Sequence, residues 1–188
     1  MLRVLDLFAG IGGFSLGLER TGGFETVAFC EIDKKAQLVL KKHWPNVPVY
    51  EDIKELSGEQ LRTDGIVPNV ITGGFPCTDI SGAQQHKPTG IDQPRSGLWK
   101  EYARLIREIK PTWAIIENVS LLRRRGLHVV LSDLWEIGYN AEWHCIPASA
   151  VETTFTLFLM KALKSSKGAK SGGRPKKEKK LVDVKILE

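Results

Sequence analysis

The segment Gly73-Gly74-Phe75-Pro76-Cys77-Thr78-Asp79-Ile80-Ser81 sets a cysteine in a Gly/Pro loop directly after a β-branched run. A cysteine nucleophile needs partial exposure and surroundings that favour its thiolate. A lone cysteine is otherwise an inert packing residue, and Cys30 and Cys145 are read that way. The Pro-Cys placement sets Cys77 apart from them. A second reactive group lies in Glu117-Asn118-Val119, where a carboxylate follows another apolar run. It either reaches the same pocket as Cys77 or caps the next element, a task that Asn118 or Ser120 could also perform. Residues 82–96 (GAQQHKPTGIDQPRS) are long, polar and glycine-bearing, and read as a lid over a substrate.

Two further groups point to a nucleotide-like ligand. Asp6-Leu7-Phe8-Ala9-Gly10-Ile11-Gly12-Gly13-Phe14 brings an apolar run into a glycine turn. Ser15 stands where a GxGxxG motif has its third glycine. The turn therefore serves either a close-lying ligand or simply a tight passage from strand to helix. Glu31 follows Gly12 by 19 residues, at the end of the next β-branched run, where an acidic side chain binds ribose hydroxyls. Asp33 reads as the N-cap of a helix opening at Lys34. Asp52, near the end of a further run, is a third acidic candidate, and alone would be a loop carboxylate. The triplet Arg123-Arg124-Arg125 could meet phosphate, although a basic run is more often a solvated face.

The elements that must position these residues alternate. Strands are expected at Leu2–Phe8, Thr26–Glu31, Asn69–Thr72, Trp113–Glu117 and Ala141–Pro147. Helices are expected at Phe14–Arg20, Lys34–His43, Gly97–Ile109 and Leu127–Ile137. Lys110-Pro111 ends one helix just before a strand. Alternation of this kind implies an α/β fold with a mostly parallel sheet and helices on both faces. Such sheets bind ligands at the carboxyl ends of their strands, where the residues above cluster.

The chain of 188 residues carries 27 Lys+Arg and 22 Asp+Glu, a formal net charge of +5, with 42% hydrophobic residues. That composition excludes a wholly disordered chain. Residues 161–188 hold ten basic and three acidic side chains; residues 1–160 hold seventeen and nineteen. The basic character thus belongs to the end of the chain and not to its body. Three widely spaced cysteines form neither a disulfide framework nor a CxxC metal pair, and a reducing compartment is expected. MLRVLDLFAGIGGF lacks the order of a signal peptide, and no run approaches the ~18 apolar residues of a membrane span. Two parts are expected: a domain over residues 1–150, and a Lys-rich tail over 151–188 that is largely disordered. Within the tail, residues 154–159 are a guess for a closing strand, and 181–188 could form one more.

Taken in order, DLFAGIGGF (6–14), CEID (30–33), GGFPC (73–77) with Ser81, and ENV (117–119) resemble the C5-cytosine DNA methyltransferase family. The resemblance covers residues 2–150. It implies a Rossmann-like, S-adenosylmethionine-dependent methyltransferase fold, incomplete at its C-terminus. It implies S-adenosylmethionine as methyl donor, held by Phe8, Ala9, Gly10, Gly12, Gly13, Glu31, Ile32, Asp52 and Ile53. Phe8 would pack on the adenine, Glu31 would hold the ribose, and Asp52 and Ile53 would contact the adenine. Cys77 would add to C6 of a cytosine flipped out of DNA, with Glu117 at N3, and Pro76 and Asn118 would complete the catalytic group. Ser81 and Arg95 would meet the substrate, and no metal is implied. The family's Arg-Arg-Glu-Arg run has no counterpart after Val151, where ETTFTLFLM stands instead. Nor is there a counterpart of its target recognition part. Activity is therefore expected to be impaired, or to depend on a complementing subunit. The expected setting is a bacterial or phage restriction-modification system, in the cytoplasm with the nucleoid. A non-catalytic donor-binding or regulatory module and an RNA cytosine methyltransferase are the alternatives.

Overall fold

The structure, a computed structural model, describes residues 1–76, 97–146 and 157–164. Seven strands form one sheet: β1 (Leu2–Leu7), β2 (Phe24–Cys30), β3 (Val49–Tyr50), β4 (Val70–Gly74), β5 (Trp113–Val119), β6 (Tyr139–Ile146) and β7 (Leu157–Lys164). Their spatial order is β3-β2-β1-β4-β5-β7-β6. β1 to β5 pair in parallel, and β7 runs antiparallel between β5 and β6. The chain winds outward from β1 towards β3, then returns to begin again at β4. The carboxyl ends of β1 and β4 therefore flank the point where a parallel sheet opens a crevice.

Six helices are described: α1 (Gly13–Glu19), α2 (Lys34–His43), α3 (Gly58–Thr63), α4 (Gly97–Ile109), α5 (Leu122–Arg125) and α6 (Leu127–Glu136). The strands divide their side chains between two faces, as a strand's period of two requires. Leu5, Leu7, Ala28, Cys30, Ile71, Ala114 and Ile116 join one core with Trp99, Tyr102 and Ile106 of α4 and Val130 and Leu134 of α6. Trp99, Tyr102, Ala103 and Ile106 recur at helical spacing and are all buried, which seats α4 on that face. On the other face Phe29 and Ala9 pack with Leu40 of α2 and against Trp44. Each fully buried apolar side chain contributes about 1.5–3 kcal/mol. This arrangement is the expected α/β class.

Element ends depart little from the expected ones. Lys110 takes a left-handed φ of 53° that stops α4 before Pro111. Asp33 caps α2 as expected, its Oδ1 accepting from Lys35 N–H at 2.7 Å. The two-residue β3, α3 and the single turn α5 are too short to show a hydrophobic period; of the three only α3 has a sequence signal, the cap Ser57-x-x-Gln60, in which Ser57 Oγ accepts from Gln60 N–H at 3.0 Å. β7 overlaps the guessed strand at residues 154–159 but runs on to Lys164. The sheet thus reaches past residue 150, where the domain is expected to end, into the segment read as a tail. Residues 165–188, including the run 181–188, lie outside the described residues, as does the expected lid over 82–96. Among the described residues, no helix is long and apolar enough to cross a membrane.

At the crevice a charged group lies in the core. Asp6 in β1 is 1% exposed. Its carboxylate accepts from Ser15 Oγ at 2.8 Å and from Thr72 Oγ1 at 2.9 Å. Burial pushes its pKa up from 3.8 to about 6, against the lowering effect of those hydroxyls, with Glu31 adding a smaller rise. An acid with a raised folded-state pKa binds more protons folded than unfolded, so its contribution to stability falls as pH rises from about 4 through about 6. The full shift corresponds to about 3 kcal/mol. Asp6→Asn should remove that slope, so its stability relative to the wild type should improve steadily between pH 4 and 7. Urea denaturation across that range checks this; parallel curves for the two proteins would show that the carboxylate does not titrate there.

Candidate active site

The carboxyl edge of the sheet is assembled from turns that need particular residues. After β1 the chain turns sharply at Phe8, whose φ of 53° is strained for a side chain of that size. Gly12 follows at φ 88° and starts α1. A Cβ there would lie 2.6 Å from the Trp44 ring, so only glycine fits. Ala9 N–H donates to Cys30 C=O at 3.2 Å and Gly12 N–H to Ala9 C=O at 2.9 Å, which closes the turn against β2.

Glu31 holds this turn from the neighbouring strand end. One carboxylate oxygen accepts from Gly10 N–H at 2.7 Å and the other from Asp33 N–H at 2.8 Å. Its own backbone is fixed by Tyr50 C=O and by Gln37, whose side-chain amide donates to Glu31 C=O at 2.6 Å. A carboxylate offers about four acceptor positions. Two are taken by the backbone, and the remainder stay available in a cleft that Glu31 lines.

That cleft has a volume of about 240 Å³ and is lined by Phe8, Cys30, Glu31, Ile32, Glu51, Asp52, Ile53, Gly74, Pro76 and Leu98. Of the expected donor-binding set, Phe8, Glu31, Ile32, Asp52 and Ile53 come together here. Ala9, Gly10, Gly12 and Gly13 do not line it and instead build the turn beside it. Sequence reasoning missed Glu51, Gly74 and Leu98 as lining residues. Only their places beside Asp52, beside Pro76 and at the start of α4 could have signalled them. Asp52 shapes its own loop, with Oδ1 accepting from Lys54 N–H at 2.9 Å. Arg104 of α4 secures the same loop by donating to Ile53 C=O at 2.8 Å and Leu56 C=O at 2.9 Å. Glu101 and Glu108 flank that guanidinium at one helical turn on either side. This pairing is the one trace of Arg104's task visible in the sequence.

The second half of the edge is the end of β4 against β5. Gly74 pairs with Glu117 across the ladder, and a Cβ on Gly74 would collide with Glu117 Oε2. The glycine therefore makes the space that the carboxylate occupies, three residues before Cys77. Burial holds the Glu117 carboxyl above its ordinary pKa. Asn118 is 2% exposed. Its Nδ2 donates to Phe75 C=O at 3.0 Å, and its Oδ1 accepts from Val119 N–H at 2.8 Å. Phe75 itself is buried against Trp99, with ring centroids 5.5 Å apart. Phe75 and Pro76 are thus fixed from both sides where the chain leaves β4. Cys77, Ser81 and Arg95 lie outside the described residues.

The two other cysteines differ from each other. Cys30 is 3% exposed, and burial pushes its thiol up to about 12, with Asp52 and Glu31 nearby adding to the rise. It stays protonated and unreactive, as a core cysteine should. Cys145 departs from that expectation: it is only half-buried and lines a separate cavity. Among the described residues no group of His, Cys, Asp and Glu side chains could hold a metal ion.

The sequence model for C-5 cytosine-specific DNA methylases matches residues 2–154. The chain belongs to this family. Similar methylases include the Type II methyltransferase M2.BsuMI of Bacillus subtilis, 37% identical over 78% of this chain and 38% of that protein. The Type II methyltransferase M.CviJI of Paramecium bursaria Chlorella virus IL3A is likewise 37% identical, over 79% of this chain and 39% of its own length. The chain therefore spans about two fifths of the length of these curated relatives. Among solved structures, the S. pombe Dnmt2 methyltransferase superposes with a TM-score of 0.71 at 20% identity, over 90% of this chain and 53% of that one. That likeness is one of fold. The methylase fold found here, with its crevice between β1 and β4, is thus the one its family predicts.

The clamp on Phe75 has a measurable worth. Asn118→Ala strips the buried Phe75 carbonyl of its partner and should cost about 1–3 kcal/mol. Urea denaturation measures this; a loss below about 0.5 kcal/mol would mean that the loop entering Cys77 is held by other contacts.

Proposed function

We propose that the chain contributes the donor-binding and nucleophilic part of a DNA cytosine-C5 methyltransferase. The observation that carries this reading is the pairing of Glu117 with Gly74, three residues before Cys77 in the chain, beside the cleft lined by Phe8, Glu31 and Asp52. The lining residues suit S-adenosylmethionine. Phe8, Ile32, Ile53 and Leu98 offer apolar surface to a purine. The Glu31 carboxylate, held by two backbone N–H groups, offers acceptors to vicinal ribose hydroxyls. Glu31 and Asp52 together favour a cationic ligand. When bound, this donor supplies an electrophilic methyl group from its sulfonium.

The chain's own residues would act on the cytosine ring. The Cys77 thiolate adds to C6 while Glu117 hydrogen-bonds or protonates N3, which leaves C5 electron-rich enough to accept the methyl group. Loss of the C5 proton then expels Cys77. Glu117 suits its part because burial keeps its carboxyl inclined to hold a proton. Asn118 holds the Phe75 carbonyl, two residues before Cys77 in the chain. The ring is reached from its face, so the base must leave the duplex. The Arg-Arg-Glu-Arg run and the target recognition part have no counterpart in these 188 residues. We therefore expect weak turnover from this chain alone, and sequence-specific turnover only with a complementing subunit. A site-specific enzyme needs groups that read base edges, and those fall to that subunit.

The test uses duplex DNA carrying 5-fluorocytosine, from which the C5 substituent cannot leave. With S-adenosylmethionine present, the chain should form an adduct that survives denaturing electrophoresis, more abundantly with a complementing subunit. Cys77→Ser should abolish the adduct, and Glu117→Gln should slow its formation by about 10²–10⁴-fold. Donor binding measured by calorimetry should persist in Cys77→Ser. Donor binding without any adduct would select the alternative, a non-catalytic binding module. Absence of donor binding would remove both readings.

A further inference from the structure

A second concave site lies on the same edge of the sheet, beyond the cleft. It has a volume of about 330 Å³ and is lined by Ser120, Leu121, Arg123, Arg124 and Cys145. Its position follows from the strand register. Asn118 of β5 pairs with Phe158 of β7, and Phe158 pairs with Cys145 of β6. Cys145 therefore sits level with Asn118, two strand spacings away, or ~10 Å. Ser120 and Leu121 continue directly from the end of β5.

The two arginines are held outward by their neighbours. Leu122 is fully buried and Leu121 packs against the same core, which anchors α5 and leaves Arg123 and Arg124 exposed. Among the described residues no carboxylate lines this cavity and neither arginine forms an ion pair. Arg104, by contrast, is bracketed by Glu101 and Glu108, and Lys34 pairs with Glu51. Adjacent like charges in a concavity repel each other and concentrate a positive field. That arrangement is favourable only toward an anion, and the planar guanidinium fork matches phosphate oxygens two at a time. The exposed Ser120 hydroxyl adds a neutral donor.

We propose that Arg123 and Arg124, with Ser120, form a cradle for a nucleic-acid phosphodiester on the strand that carries the target cytosine. This rests on the methyltransferase reading above and names where the substrate backbone is gripped. The residues before 161 carry more acidic than basic side chains, so the body as a whole does not attract DNA. A local positive site must offset this at the catalytic edge. The cavity opens on the same strand-end edge as Glu117, within reach of a backbone whose phosphates recur every ~3.4 Å of helix axis on each strand.

The experiment measures binding of the full chain to a random-sequence DNA duplex by fluorescence anisotropy at several salt concentrations. Arg123→Ala with Arg124→Ala should weaken binding several-fold at low salt. It should also lower the slope of log affinity against log salt by about one, since each neutralised phosphate adds about 0.9. The Lys-rich residues 165–188 contribute equally to both proteins and cancel. Arg123→Lys with Arg124→Lys should restore most of the slope, and an unchanged thermal unfolding midpoint should accompany each variant. An unchanged slope in the alanine variant, or no DNA binding by the wild type, overturns the cradle. Adduct formation on 5-fluorocytosine DNA is read separately. An adduct with an unchanged slope rejects the cradle alone, and a changed slope without an adduct rejects the methyltransferase reading alone.

Discussion

The Asp6 carboxylate, buried between Ser15 and Thr72, is the interaction on which the catalytic edge depends. It joins three elements distant in sequence: β1, which carries it; α1, which begins at the glycine turn; and β4, which leads to Cys77. A charge removed from water costs several kcal/mol unless hydrogen bonds replace its hydration. Two hydroxyls and the Ser15 backbone N–H replace it only in part, and burial still raises the acid. The cost falls where β1 and β4 part to open the crevice. Through it, the two sides of the site are tied to a single group. The Glu31 carboxylate repeats the device at the next strand end, exchanging solvent for two backbone N–H groups. Two buried acids thus hold a turn that has almost no side chains of its own to pack.

A different constraint governs the β4–β5 side. There the limiting quantity is space rather than hydrogen bonding. Glu117 can lie at the strand end because residue 74 has no side chain. Phe75, the first residue after the strand, fills the core instead, against Trp99. The succession of glycine, aromatic and proline therefore has a packing logic: clear a place for the acid, anchor the backbone, then turn it. Asn118 converts the same strand end into a clamp by satisfying the Phe75 carbonyl that the turn leaves behind.

Much of this is legible in the sequence because it depends on local patterns. The long helices at Lys34–His43 and Gly97–Ile109 declare themselves by apolar spacing and by their ends, and the strand ends by their acidic or glycine residues. Asp33 and Glu31 can be told apart because one precedes a helix and the other ends a strand. The rest is non-local. Asp6 looks like an interruption of an apolar run until Thr72, 66 residues away, is brought beside it. Arg104 looks like a surface residue in a salt-bridged helix until its reach to Ile53 and Leu56 is seen. From sequence β7 is only a guess, because its place is set by pairing with β5 and β6 rather than by a pattern of its own.

The charge of the chain shows why location matters more than sum. A formal +5 invites a nucleic-acid reading, yet the excess lies after residue 160. Within the body, carboxylates dominate the donor cleft, which suits a cationic donor and would repel a phosphate backbone. A single edge must therefore present opposite potentials a few strand spacings apart. The Debye length of about 8 Å at physiological ionic strength permits this, because exposed charges further apart than that are largely screened from each other. Acidic and basic groups are separated along the sheet edge. Glu31 and Asp52 lie beyond β1, Glu117 stands at the end of β5, and Arg123 and Arg124 follow on the far side. On the proposed reading, strand order, and not composition, lets one small domain address a cation and a polyanion at once.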